Sequence, residues 1–181
     1  MKKLLILALP ALLAACGGNR SWQSNITPET EFKIESVNVT LNSKCPAPSF
    51  MTEKQLTDRF ARTIRNEFCK HRTCTDKVGK NTVVMTINVN YTRTMMGEAV
   101  SCSESYGGVT ATYDFILKKD GEEFLVRMIS EKLAPSRGVV GNLGRIATNL
   151  SFTGGPENEM ADVAEYLGPG IGQRIERDLR R

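Results

Sequence analysis

Apolar and polar residues alternate with a period of two in three segments of this chain and recur every three or four positions in three others. The cleanest alternation runs from Thr82 to Arg93. Val83, Met85, Ile87, Val89 and Tyr91 share one side, and Thr82, Val84, Thr86, Asn88, Asn90 and Thr92 the other, which predicts a strand. Val109, Ala111, Tyr113, Phe115 and Leu117 repeat the pattern. Asp120-Gly121 then supplies the positive-φ pair of a type I′ turn, so a fourth strand, about Glu122 to Lys132, should return antiparallel. Lys118 and Lys119 before the turn face Glu122 and Glu123 after it, which helps to fix register. Phe32 to Leu41 also alternates, but its phase slips between Ile34 and Val37; one bulge near Glu35-Ser36 absorbs the slip.

Helical spacing starts at Thr52. Thr52 and Gln55 form a capping box, Met51 and Leu56 a hydrophobic staple, and Leu56, Phe60, Ile64 and Phe68 one apolar stripe that ends near Cys69. A second stripe, Met160, Val163, Ala164, Leu167, Ile171, Ile175 and Leu179, is interrupted by Gly168-Pro169-Gly170, which predicts a kink or two abutting helices. Before it, residues 136–155 combine Gly138, Gly141 and Gly144 with helically spaced Val139, Val140, Leu143 and Ile146. The order is β-α-β-β-β-α. A strand-helix-strand start implies a right-handed parallel crossover, followed by an antiparallel meander. The fold class is therefore α+β: a two-layer sandwich with a four-stranded mixed sheet, both helices on one face, and a Gly-rich insertion before the last helix. The opposite face is rich in Thr and Asn.

The N-terminus changes the picture. Lys2 and Lys3 precede a ten-residue apolar run, Leu4 to Leu13, broken only by Pro10. As a helix this run spans ~15 Å, against ~30 Å of membrane hydrocarbon, so it is an export signal and not a span. Its ending, Leu13-Ala14-Ala15-Cys16, resembles the lipobox of bacterial lipoproteins. The resemblance implies cleavage before Cys16, lipid on the Cys16 thiol and a further acyl chain on the new amine. It also implies outer-membrane sorting, since Gly17 lacks the Asp that retains such proteins at the inner membrane. Two or three acyl chains make attachment effectively permanent. Residues 1–15 are thus the signal peptide, 16–30 a polar lipidated tether containing Trp22, the only Trp, and 31–181 one periplasmic domain.

Charge excludes one partner class. The whole chain has 24 basic and 20 acidic residues; loss of Lys2 and Lys3 leaves 22 against 20, a net +2. That balance gives no nucleic-acid footprint. Four cysteines follow Cys16, and in an oxidising compartment they suggest two disulfides with three possible connectivities. The layout selects one. In a parallel crossover Cys45, after the first strand, and Cys102, after the second, share an edge, while Cys69 and Cys74 lie together at the other. Cys45–Cys102 and Cys69–Cys74 are expected.

Catalytic signals are weak. Cys69-x-His71-x-x-Cys74 contains the only histidine and could offer three metal ligands. Flanking Lys70, Arg72 and Lys77 oppose a cation there, and oxidation favours the disulfide, so no metal, cofactor or catalytic residue is assigned. Gly138 to Arg145 lacks the spacing of a phosphate loop, and its small residues suit close packing instead. The 95–108 connection, with Met95 and Met96 near Cys102, is long enough to be a recognition loop. Met95, Met96, Val139, Val140, Leu143 and Ile146 are the candidate partner-binding residues. Lys54, Arg59, Arg62 and Arg65, with Lys70 and Arg72, make a basic surface that could meet anionic headgroups or a polyanionic envelope polymer.

Beyond the lipobox, the body resembles small outer-membrane lipoproteins, and its layout is similar to that of the lipopolysaccharide-assembly lipoprotein family. The expectation is a non-enzymatic periplasmic binding or scaffolding module. Its partners would be the membrane, through its acyl chains, and an envelope protein or polymer, with a second copy of the chain as a further candidate. Lipid or lipopolysaccharide handling is the alternative.

Overall fold

The computed structural model describes residues 25–96, 102, 105–135 and 154–180. Its sheet is built from β1 (Glu31–Ser43), β2 (Thr82–Met95), β3 (Tyr106–Lys119) and β4 (Glu122–Leu133), in that spatial order. The β1–β2 pair is parallel and the other two are antiparallel. Helix α1 (Glu53–Phe68) lies in the parallel crossover. The register of β1 slips between Ile34 and Ser36, where the phase of its alternation breaks. Asp120 (φ 52°) and Gly121 (φ 85°) turn the β3–β4 hairpin, and Lys118 pairs with Glu123 at 3.1 Å.

Thr52 caps α1. Its Oγ1 accepts from the Gln55 N–H, and the Gln55 side chain accepts from the Thr52 N–H at 2.8 Å. Leu56, Phe60, Ile64 and Phe68 are fully buried against Val83, Met85, Ile87, Val89 and Tyr91 of β2 and the matching face of β3. Burial of each such side chain contributes roughly 1.5–3 kcal/mol, which is what holds the helix layer to the sheet. Phe60 meets the Tyr91 ring edge-on at 5.8 Å, and Phe32 meets Phe68 likewise at 5.3 Å.

The C-terminal stretch runs through α2 (Pro156–Ala161), a π-helical turn (Asp162–Leu167) and α3 (Gly168–Asp178). The interruption at Gly168-Pro169-Gly170 therefore takes the form of a widened turn. The Gly168 N–H reaches back five residues to the Val163 carbonyl, and Pro169, which has no N–H to give, sits in the first turn of α3. Val163, Leu167, Ile171, Ile175 and Leu179 are buried as the stripe requires, but Met160 is exposed. Buried positions recur every fourth residue across the π turn, so Glu159 takes the inward place and Met160 is turned out.

Close helix approach occurs at two glycines of α3. A Cβ on Gly168 would come within 2.6 Å of Thr63 Cβ, and one on Gly172 within 2.9 Å of the Ile64 carbonyl and 3.1 Å of Glu67 Cβ. Gly170 has open space around it. Gly172→Ala is thus expected to lower stability, since overpacking costs about 1–3 kcal/mol against the ~1 kcal/mol that Ala gains over Gly in a helix. Gly170→Ala should be neutral or stabilising. Paired thermal melts check this, and equal shifts for the two variants would refute the close crossing.

Candidate functional site

Oxidation decides the fate of the Cys69/His71/Cys74 cluster. Cys69 and Cys74 are joined in a disulfide, and His71 is exposed. Both thiols are unavailable as ligands, and among the described residues no group of three or more His, Cys, Asp or Glu side chains could hold a metal ion. The loop instead caps the start of β1: the Phe32 N–H donates to Thr73 O at 2.8 Å, and the Thr75 N–H donates to Phe32 O at 2.9 Å. The second disulfide, Cys45–Cys102, joins the segment after β1 to the connection after β2, at the edge the crossover specifies.

That connection does not present two methionines. Met95 is 1% exposed, because the alternation of β2 continues past Tyr91 and Arg93 to put it on the helix-covered face; its assignment as a partner contact is corrected. Met96, the next residue, is 38% exposed. Val139, Val140, Leu143 and Ile146 lie outside the described residues, as does Cys16. Among the described residues no helix is long and apolar enough to cross a membrane.

A buried polar cluster went unread in the sequence. Glu159, at 0% exposure, accepts through Oε1 from Arg93 Nε at 2.7 Å and from the Tyr91 hydroxyl at 2.9 Å, and through Oε2 from the Met51 N–H at 3.0 Å. Arg93 Nη2 also donates to Met51 O at 2.6 Å, and its guanidinium lies 5.4 Å from the Phe50 ring centroid. Burial, with the adjacent Glu159 charge, pushes the Tyr91 hydroxyl far above its ordinary pKa of 10, so it stays a donor. Nearby, the Tyr106 hydroxyl donates to Asp162 at 2.9 Å. These bonds tie α2 and the π turn to the sheet and to the residue before the α1 cap. The cluster is buried and its groups are spent on one another, so it positions elements. Its signal was a charge, Arg93, on the apolar side of a strand.

The basic run is largely neutralised. Lys54 pairs with Asp58 at 3.0 Å, Arg65 with Asp76 at 2.8 Å, Lys70 with Glu67 at 2.5 Å and Arg72 with Glu176 at 3.3 Å. Lys70 and the Gln173 amide, which donates at 2.8 Å, hold the Glu67 carboxyl below its ordinary value of 4.5. Glu67 therefore contributes stability that is present above pH ~4.5 and lost as the pH falls through its lower folded-state value. Glu67→Gln should flatten this acid limb of the pH–stability curve, measured by urea denaturation from pH 6 downward. An unchanged limb would remove Glu67 as its source.

The other sheet face carries a polar ladder. Asn38 donates to Asn88 at 2.9 Å, and Asn88 donates to Asp114 at 2.6 Å. At the β4 edge this surface turns apolar: Met128 is 81% exposed and Val126 59%. A depression of about 260 Å³ lies beside Met128, lined also by Asn90, Thr112, Asp114 and Ile129. Large exposed apolar side chains grouped on one strand mark contact surfaces.

Comparison with known proteins locates no function. No protein-family model matches the chain, and no curated protein does. An uncharacterised protein known from a crystal structure is similar over 83% of this chain and 92% of its own, with 10% identity and a TM-score of 0.47. The hypothetical protein CT253 from Chlamydia trachomatis is similar over 83% and 97%, with 8% identity and a TM-score of 0.39.

Proposed function

We propose that the protein is a lipid-anchored periplasmic module, held at the outer membrane through Cys16, that binds or scaffolds an envelope component without catalysing a reaction. The observation that carries the binding role is the exposed Met128–Val126 pair on β4, beside a depression with polar walls. The lipobox and the two disulfides support export to an oxidising compartment. Lipid or lipopolysaccharide handling is the alternative, favoured by Arg59 and Arg62, which no carboxylate pairs among the described residues.

Anchoring and binding separate experimentally. Cys16→Ser should release the protein from membranes after a high-salt wash while leaving its thermal transition in place; continued co-fractionation would show that lipid is not the anchor. A photo-crosslinking residue at Met128 in the native chain should capture one dominant envelope protein in membranes, identified by mass spectrometry. The same probe at exposed Glu35 on β1 should not. Equal, diffuse labelling from both positions would remove the β4 face as the binding surface.

A further inference from the structure

Of the six lysines and arginines from Lys54 to Arg72, four are paired with carboxylates, and the remaining two are neighbours. Arg59 and Arg62 stand three residues apart on one side of α1, a spacing that places Cβ atoms about 5–6 Å apart. They line a cleft of about 270 Å³ between α1 and the start of the C-terminal helical stretch, together with Met51, Gln55, Asp58 and Met160. Like charges left together repel, and nothing among the described residues neutralises these two. Asp58, the only carboxylate in the lining, is bound to Lys54. Gln55 uses its side-chain carbonyl on Thr52, which leaves its amide NH₂ to donate outward. Met160 is the residue that the π turn displaced from the core into this cleft wall.

We propose that this cleft binds a phosphate group carried on a small polar or amphiphilic ligand. Two guanidinium forks and one amide outnumber the single carboxylate, Asp58, which Lys54 already holds, and guanidinium geometry matches phosphate oxygens in bidentate fashion. A space below ~300 Å³ takes a headgroup-sized fragment such as a glycerophosphate and leaves no room for an acyl chain. The Met160 thioether supplies an apolar wall for the carbon part of such a fragment. The site is on the helix layer and is independent of how the β4 face is used.

The same phosphate chemistry could reach the cleft from a membrane headgroup or from a soluble ester, and one experiment distinguishes them. The full chain carrying Cys16→Ser is titrated with glycerol 3-phosphate by calorimetry and, separately, sedimented with vesicles of phosphatidylglycerol or of phosphatidylcholine alone. Arg59→Gln/Arg62→Gln should weaken whichever interaction is found by about tenfold or more. Arg65→Gln, which removes one charge elsewhere on the same helix, where Arg65 pairs with Asp76, should leave it within about twofold. Thermal melts confirm that the exposed substitutions leave the fold intact. Binding of the soluble ester assigns a soluble ligand; binding only to phosphatidylglycerol vesicles assigns a headgroup. No binding in either arm, or equal weakening by Arg65→Gln, overturns the site.

Discussion

Glu159→Ala should be among the most damaging single substitutions in the described part of the chain, lowering unfolding free energy by about 3–5 kcal/mol. Its removal leaves the buried Arg93 guanidinium, among the described residues, with the Met51 carbonyl and the Phe50 ring, and strips the Tyr91 hydroxyl and the Met51 N–H of their acceptor. The cost comes from the uncompensated charge more than from the lost pair. Consequently the double variant Arg93→Met/Glu159→Leu should be much milder than Glu159→Ala alone, because it removes both charges and keeps volume. Urea denaturation of the three proteins, with constant m-values, checks this. A double variant as unstable as the single one would mean that shape, and not charge, is what Glu159 supplies.

Loss of the Cys45–Cys102 bridge should destabilise by about 4 kcal/mol in the chain-entropy model, against about 2 kcal/mol for Cys69–Cys74. The sequence separations, 57 and 5, set the difference: the longer loop frees more conformations in the unfolded chain when it is opened. The long bridge closes over α1 and β2, so the parallel crossover is fixed covalently at its far end. Alanine pairs at each bridge, compared under oxidising conditions, test the ranking. If opening the short bridge costs as much or more, the β1-edge contacts of the 69–75 loop, and not unfolded-state entropy, dominate its contribution.

Much of this architecture was legible because its elements obey single periods. The phase slip at Ile34–Val37, the Thr52–Gln55 box and the Asp120-Gly121 turn are local signals, and each appears where its residues stand. The disulfide pairing followed from strand direction, since a parallel crossover puts the ends of β1 and β2, and with them Cys45 and Cys102, at one edge. Legibility failed where two periods meet. Reading the last helix at three to four residues per turn placed Met160 inward, whereas the π turn carries an every-fourth-residue phase that puts Glu159 there. An alternation that ends at Tyr91 makes Met95 a loop residue. Extending it by two steps gives Arg93 and then Met95, both buried. The Arg93–Glu159 pair spans 66 residues, and no local pattern announces a contact at that distance. The basic run was visible, but which two arginines remain unpaired depends on partners as distant as Glu176.

The two borders of the sheet are not equivalent. Along β1 the outward backbone groups of Phe32 are taken by Thr73 and Thr75, and the Leu41 N–H is taken by the Glu53 carboxylate at 3.0 Å. No described strand pairs with β4 on its outer side. Among the described residues, then, the β1 border is capped at Phe32 and Leu41 and the β4 border carries no strand. If a strand were added at β4 by a second copy, each molecule would have used that border and would offer the next only the β1 border, capped at Phe32 and Leu41. Such geometry ends in a closed dimer. An edge-exposed, apolar strand can thus be carried at high local concentration without seeding a fibre.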